Sequence, residues 1–228
     1  MSRSLLSSAL SLNGGYVDTM GFVALNGLFT AHVTGNFVTL GAAIATGTGG
    51  LLAKSLALPV FCVAVMAARY FARWLKRQAR PVVPVLLVIQ FVLFVAAGLL
   101  SYVLDFSVPN SAAELVIGMT LVVSMAIQNA VHRVHLPDMP PSTLMTGTTT
   151  QIMLDLTDLI FGEVEDRKKL KARLKRLIRS LFLFALGCAL AALAWRYLHR
   201  LCFFGPPIII LLAYRGFQQE EKAEASAA

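Results

Sequence analysis

The sequence predicts an all-α integral membrane protein with about six to seven transmembrane helices, built from two internal repeats joined by a linking helix. Three observations carry that prediction. Of 228 residues, 57% are hydrophobic and only 14% are charged, against about 25% charged in soluble domains. Apolar runs recur that are long enough to cross a bilayer, for which about 20 residues suffice. A Thr-Gly motif set in such a run occurs twice, with matching landmarks around it.

A core of this size cannot hide so much apolar surface from water, and the mean hydropathy of +0.71 makes the bilayer its natural solvent. The net charge is +8, yet the basic residues sit in short segments beside apolar runs. Anionic lipid and orientation in the membrane account for that pattern, so nucleic acid is not an expected partner. Cys62, Cys188 and Cys202 lie in or at the edge of apolar segments without zinc spacing, and read as packing residues. After Arg3 the apolar region continues through Asp18 with no standard cleavage site, which argues against a cleavable signal.

The chain is expected to be a single membrane domain, 1–228. Its organising stretch runs from Gly14 to Gly41. That stretch is apolar overall but carries Asp18, Asn26, His32, Thr34 and Asn36, and Gly27 and Gly35 break it. A charge at bilayer depth costs several kcal/mol, so helix packing or a polar pathway must repay it. A first helix is predicted over 5–27 and a short element over 34–46, with Thr34 as N-cap. At about 1.5 Å per residue the short element cannot span, so it can begin inside the membrane. A third helix over about 53–75 ends in basic residues, and an uncharged crossing covers 82–104. A fifth helix covers about 112–132, and the prolines of 136–142 end it. Thr146-Gly147-Thr148 opens a sixth element to about 162. The charged segment 163–179 reads as an interfacial amphipathic helix, with Lys168, Lys169, Lys171, Arg173, Lys175 and Arg176 offered to the lipid surface. A seventh crossing follows at about 180–198, then a short apolar piece at 201–214, and a tail at 217–228 expected to be disordered.

Repeat one covers about 5–75, the linking helix about 82–104, and repeat two about 112–200. Thr34-Gly35-Asn36 matches Thr146-Gly147-Thr148; Asp18 and Asn129 precede the two motifs by 16 and 17 residues; Arg69-Tyr70 matches Arg196-Tyr197. If every element spans, the repeats are parallel, and the basic insert falls on the side opposite the basic ends of helices 3 and 7. A re-entrant motif element would change that parity.

GYVDTMGF, LFTAHVTGNFVTLG, SMAIQNAVHR and MTGTTTQI together resemble the YoaK-like family of bacterial membrane proteins, which carry domain of unknown function 1275. The resemblance covers roughly residues 4–214 and is most specific at Thr34-Gly35-Asn36. It implies six or seven transmembrane helices and a multi-pass inner-membrane location, and it carries no assigned activity. The charged insert and Pro140-Pro141 depart from the family pattern.

The candidate solute-site residues are Asp18, His32, Thr34, Gly35, Asn36, Gln128, Asn129, Thr146, Gly147 and Thr148. Asp18 reads as a pathway carboxylate or as an acid that locks packing against Arg69 or Asn129. His32 reads as a proton relay or as a loop histidine bound to backbone. The Thr-Gly motifs read as helix N-termini offered to an anion, or as caps and close contacts. Gln128 and Asn129 read as pocket groups or as interhelical hydrogen bonds. Asp155 and Asp158 share a face and are expected to pair with the basic insert, and Arg69 and Arg196 to snorkel. There is no Walker-type loop, His-Glu-x-x-His or Gly-x-Ser-x-Gly motif, so neither an enzyme, a cofactor nor a metal is expected. The expected function is a small-solute or ion transporter with its polar site at the repeated Thr-Gly motifs. The alternative is a membrane scaffold or sensor acting through the basic insert. Expected partners are the bilayer with anionic lipids, a small solute or ion, and a second copy of the chain.

Overall fold

The computed structural model describes residues 2–162 and 166–227, with side chains for 4–162 and 166–219. The described chain is all-helical: α1 (Ser2–Ala24), α2 (Gly35–Thr46), α3 (Leu51–Arg77), α4 (Val82–Val103), α5 (Ala112–His135), α6 (Met145–Phe161), α7 (Arg167–Leu198), a 3-10 segment (His199–Phe204) and α8 (Gly205–Ala227). The protein is an all-α integral membrane protein. Helices α3, α4 and α5, and the continuous stretch Arg167–Gln219, are long and apolar enough to cross a membrane. Helix α1 is also long enough, but its Ser, Asn and Asp residues would be costly in lipid. The fold places it centrally, against α7, α8 and α5. Leu6, Leu10, Val17 and Met20 on α1 are at most 1% exposed, and they join Phe94, Leu121, Met125 and Ile210 in the main core.

Side-chain contacts define two faces. On the proximal face, where α1 begins, Arg179 donates to Ser4 and Leu5 lies against Gly216. The end of α3, the start of α4 and the end of α5 meet there through Ala68, Ala72, Leu86, Ile127 and Val131. On the distal face, Asn26 donates to Glu114 at 3.0 Å, Gly49 lies on Pro109, and Arg200 donates to the Leu104 carbonyl at 3.1 Å. There the Ser107 hydroxyl and N–H, with Arg200, hold the Asp105 carboxyl below the usual carboxylate range.

Helices α2 and α6 do not cross between these faces. The chain after α1 turns back at Asn26 and Gly27, both at positive φ, and reaches the level of Asp18, six residues before the end of α1. That is a re-entry of about 9 Å at ~1.5 Å per residue. The 12 residues of α2 then lead back to the distal face, where Gly50 at φ +82° lies against Asn26. The chain after α5 does the same from the proximal face. Ser142 reaches Gln128 and Gly14, and α6 returns to bring Asp155 to Arg173 and the Leu159 carbonyl to Arg167. The helix contacts fall into matched sets: α1 on α7 and α5 on α3, α1 on α8 and α5 on α4, α2 on α3 and α6 on α7.

Three expectations are corrected. The segment 163–179 is not a separate interfacial helix; from Arg167 it forms the first turns of the 32-residue α7. No Gly or Pro interrupts residues 167–186, and Leu, Lys, Arg and Ala favour helix. At about 48 Å, α7 outreaches the ~30 Å hydrocarbon layer. Glu163 to Glu165 lie outside the described residues. The short piece at 201–214 is a 3-10 turn followed by α8, which Pro206 and Pro207 open in its first turn. The tail at 217–228, expected to be disordered, continues α8 to Ala227, as its Gln, Glu, Lys and Ala residues permit; residue 228 lies outside the described residues.

Helices α1 and α7 approach to backbone contact. A Cβ at Gly187 would lie 2.1 Å from the Leu12 carbonyl, and one at Gly15 would lie 2.0 Å from that of Phe184. Gly187→Leu should therefore cost about 2–3 kcal/mol and lower the Tm in detergent by about 5–10 °C. Gly41→Ala, with nothing within 4 Å of its Cβ, should hold the Tm or raise it by about 1–4 °C. Equal melting of the two variants would contradict this packing.

Candidate solute site

A carboxylate in a membrane interior must be neutralised or saturated with hydrogen bonds. Asp18, 4% exposed, is saturated. Its Oδ1 accepts the backbone N–H groups of Thr30 (2.8 Å), Ala31 (2.8 Å) and His32 (3.3 Å). Its Oδ2 accepts from His32 Nδ1 at 3.1 Å. The acid therefore holds the re-entrant chain. Its partners are that loop, not Arg69 or Asn129. Asn36 pins the same loop from the other side: Nδ2 donates to the Phe29 carbonyl at 2.7 Å, and Oδ1 accepts the Phe29 N–H at 2.9 Å. Gly35 sits against the Phe29 ring.

Thr34 makes no capping hydrogen bond. The N–H groups of Gly35, Asn36 and Phe37 bond the carbonyls of His32, Val33 and Thr34 instead. The start of α2 thus offers a solute its dipole but not the free N–H groups expected from the motif. The second motif is built differently. Thr143 donates to Asn129 Oδ1 at 2.8 Å, tying the second re-entrant loop to α5 as Asp18 ties the first to α1. Thr148 bonds the Leu144 carbonyl, while Thr146 and Gly147 are exposed on the outer side of α6, with nothing within 4 Å of a Cβ at Gly147.

Both loops converge on one cavity of about 520 Å³. The first contributes His32 and Thr34, the second Ser142 and Thr143, α3 contributes Arg69, and α5 contributes Asn129 and Arg133. Arg69 and Arg133 are exposed on the parts of α3 and α5 nearer the proximal face, and they mark its mouth. His32 and Thr34, at the depth of Asp18, mark its floor. Thr146, Gly147 and Thr148 do not line it. Gln128 lies just behind, wholly buried: its Oε1 accepts from Asn13 (2.8 Å) and Gln90 (3.1 Å), and its Nε2 donates to the Leu10 carbonyl (2.9 Å) and Ser142 Oγ (3.3 Å). Buried His132 lines the cavity and lies 3.4 Å from Ser7 Oγ.

On α7, Leu170 and Leu177 are buried, while Lys168, Lys169, Lys171, Arg173 and Lys175 are exposed and Arg176 is half-buried. Arg173 makes a bidentate pair with buried Asp155, its Nε 2.8 Å from Oδ2, as the charge pattern led one to expect.

Sequence reasoning missed Arg133, Asn13, Gln90, Ser142 and Thr143, and it treated Arg69 as a snorkelling end. Amides inside apolar helices were the available signal for Asn13 and Gln90. Nothing local marks Arg69 and Arg133 apart from the other helix-end arginines, because only the tertiary fold brings them to one cavity.

Asp18→Ala should strand three buried N–H groups, each worth about 1–3 kcal/mol, and lower the Tm in detergent by several degrees. Asp18→Asn keeps one acceptor oxygen and should lower it less. Two variants that melt like the unaltered protein would show that the carboxylate does not hold the loop.

Comparison with known proteins agrees with a membrane protein. The family described as "Protein of unknown function (DUF1275)" matches residues 6–215. The chain is 30% identical over 212 residues to the UPF0700 transmembrane protein YoaK of Bacillus subtilis (strain 168), covering 91% of each chain. No solved structure matches it.

Proposed function

The chain belongs to the DUF1275 family, and we propose that it is an inner-membrane transporter of a small solute or ion that works by alternating access. The observation that carries this reading is the cavity of about 520 Å³ at the junction of the two re-entrant loops, with the exposed Arg69 and Arg133 in its lining. Ligand pockets typically run about 300–1,000 Å³. The distal side is closed by the Asn26–Glu114 bond, by Lys54 donating to the Gly49 carbonyl at 3.0 Å, and by Gly49 on Pro109.

The matched helix contacts support two repeats, α1–α4 and α5–α8, that exchange partners. With α2 re-entrant, three crossings separate α1 from α5. Three is odd, so the repeats are inverted and related by an axis in the membrane plane, an arrangement known from secondary transporters. A second, distal-facing state would open the symmetry-related route. This parity puts the basic end of α3 and the basic insert on one face, and leaves Arg196 and Arg200 at the distal end of α7. Arg73, Lys76, Arg77, Arg80 and the basic start of α7 share the proximal face, whereas the distal connections 47–50, 104–111 and 199–204 contain Arg200 as their only Lys or Arg. By the positive-inside rule the proximal face is cytoplasmic. There the exposed lysines of α7 meet anionic lipid.

Ala130 lines the cavity, and Ala130→Trp would fill part of it. In proteoliposomes tested against a panel of labelled metabolites and ions, any solute the unaltered protein moves should be moved at least about tenfold more slowly by this variant, with cooperative melting as the control for folding. Unchanged flux would place the pathway elsewhere. An absence of flux across the panel would favour the scaffold reading.

A further inference from the structure

The cavity has an unbalanced set of charges. Its lining includes two guanidinium groups, Arg69 and Arg133, and the imidazole of His32, which faces Asp18, but no Asp or Glu. Neither arginine has a hydrogen-bond or ion-pair partner among the described residues, where the ion pairs are His32–Asp18, Arg173–Asp155 and Arg200–Asp105. The nearest interior acid, Asp18, is already saturated by three N–H groups and His32. It therefore contributes no free acceptor to the cavity. Both guanidinium groups are exposed at the cavity mouth with their donors unused by protein acceptors, and an anion entering between them gains charge-assisted hydrogen bonds from both. The start of α2 adds its positive dipole end beside Thr34.

The rest of the wall is apolar: Phe61 and Val65 on α3, and Leu136, Pro137 and Met139 from the second re-entrant loop. An inorganic anion would leave that wall uncovered. A neutral apolar solute would leave the guanidinium groups unpaired. We infer that the solute taken by this cavity is a small organic carboxylate, its head group held by Arg69 and Arg133 and its apolar body against Phe61, Val65 and Met139. The planar fork of a guanidinium matches a carboxylate through two parallel N–H···O bonds, which an ammonium cannot reproduce. With Nδ1 committed to Asp18, His32 keeps Nε2 for the solute. This inference deepens the transport reading and rests on the same cavity being the solute site.

Its test is direct binding to the purified full chain in detergent, by calorimetry, with benzoate and hexanoate as probes. Benzamide and hexanamide are the neutral counterparts, and phosphate, sulfate and chloride the inorganic ones. Carboxylate binding is expected, with the amides weaker by at least about tenfold and no displacement by the inorganic anions. Arg69→Gln and Arg133→Gln should each weaken binding by about tenfold or more, and Arg69→Lys should restore only part of it. Arg77→Gln, on the same helix but outside the cavity, should stay within about twofold. The melting curve of each variant controls for folding. Amides that bind as well as the acids, inorganic anions that compete as well, arginine variants that bind normally, or no binding of either probe would each overturn the inference. Arginine-dependent carboxylate binding without flux in proteoliposomes would uphold the site and refute the transport reading alone.

Discussion

The Asp18 carboxylate is the interaction on which the rest of the structure depends. An acid buried inside a membrane protein is tolerable only when its oxygens are occupied. Here they are occupied by the chain that would otherwise leave the membrane at the end of α1. Once residues 30–32 are drawn back to that depth, α2 has room only to return to the face it came from. Irregular backbone at this level needs protein around it, and the surrounding helices α1, α3, α5 and α7 supply that cover. The cavity floor depends on the same hydrogen bonds, since His32 and Thr34 are held where the loop is held.

Around this clamp the polar residues of α1 are used up by neighbours rather than by lipid. Ser11 meets Ser180 at 2.8 Å, Asn13 meets Gln128, and Gly15 and Gly187 let α1 and α7 touch at their backbones. Small residues and interhelical hydrogen bonds are the means by which membrane helices associate when apolar burial gives no preference over lipid. A helix too polar to face lipid thus becomes the central helix of the bundle. The more apolar α3, α4 and α7 present exposed side chains such as Val63, Met66, Val92 and Phe182 to the bilayer.

Much of this was legible in the residues. Asp18 in an apolar run, the first Thr-Gly motif, the short element after Gly35 and the amide at Asn129 all pointed to where the loops converge. The roles were less legible than the places. Thr34 has the composition of a cap, but its φ of −72° and ψ of −24° continue the turn, and backbone carbonyls take the N–H groups a cap would serve. Thr146 and Gly147 repeat the motif in sequence, while the helical rotation of α6 turns them outward. The charged insert reads as separate because it contrasts with the apolar residues beyond 180. Helix continuity, however, depends on propensity and breakers, and these do not change at that point. Arg69 and Arg133 lie 64 positions apart on two helices, and no local pattern announces that they face one cavity.

Opposed re-entry of the two loops can be tested by side-specific thiol labelling. Single cysteines are placed at Gly47 and Gly162, with Cys62, Cys188 and Cys202 replaced by alanine, and labelled with an impermeant reagent from outside intact spheroplasts and from the cytoplasmic side of inverted vesicles. Re-entrant α2 and α6 predict that position 47 reacts only from outside and position 162 only from the cytoplasmic side. Labelling of both positions from the same side, which two spanning elements would produce, would contradict this architecture and with it the inverted repeats and the solute site between them.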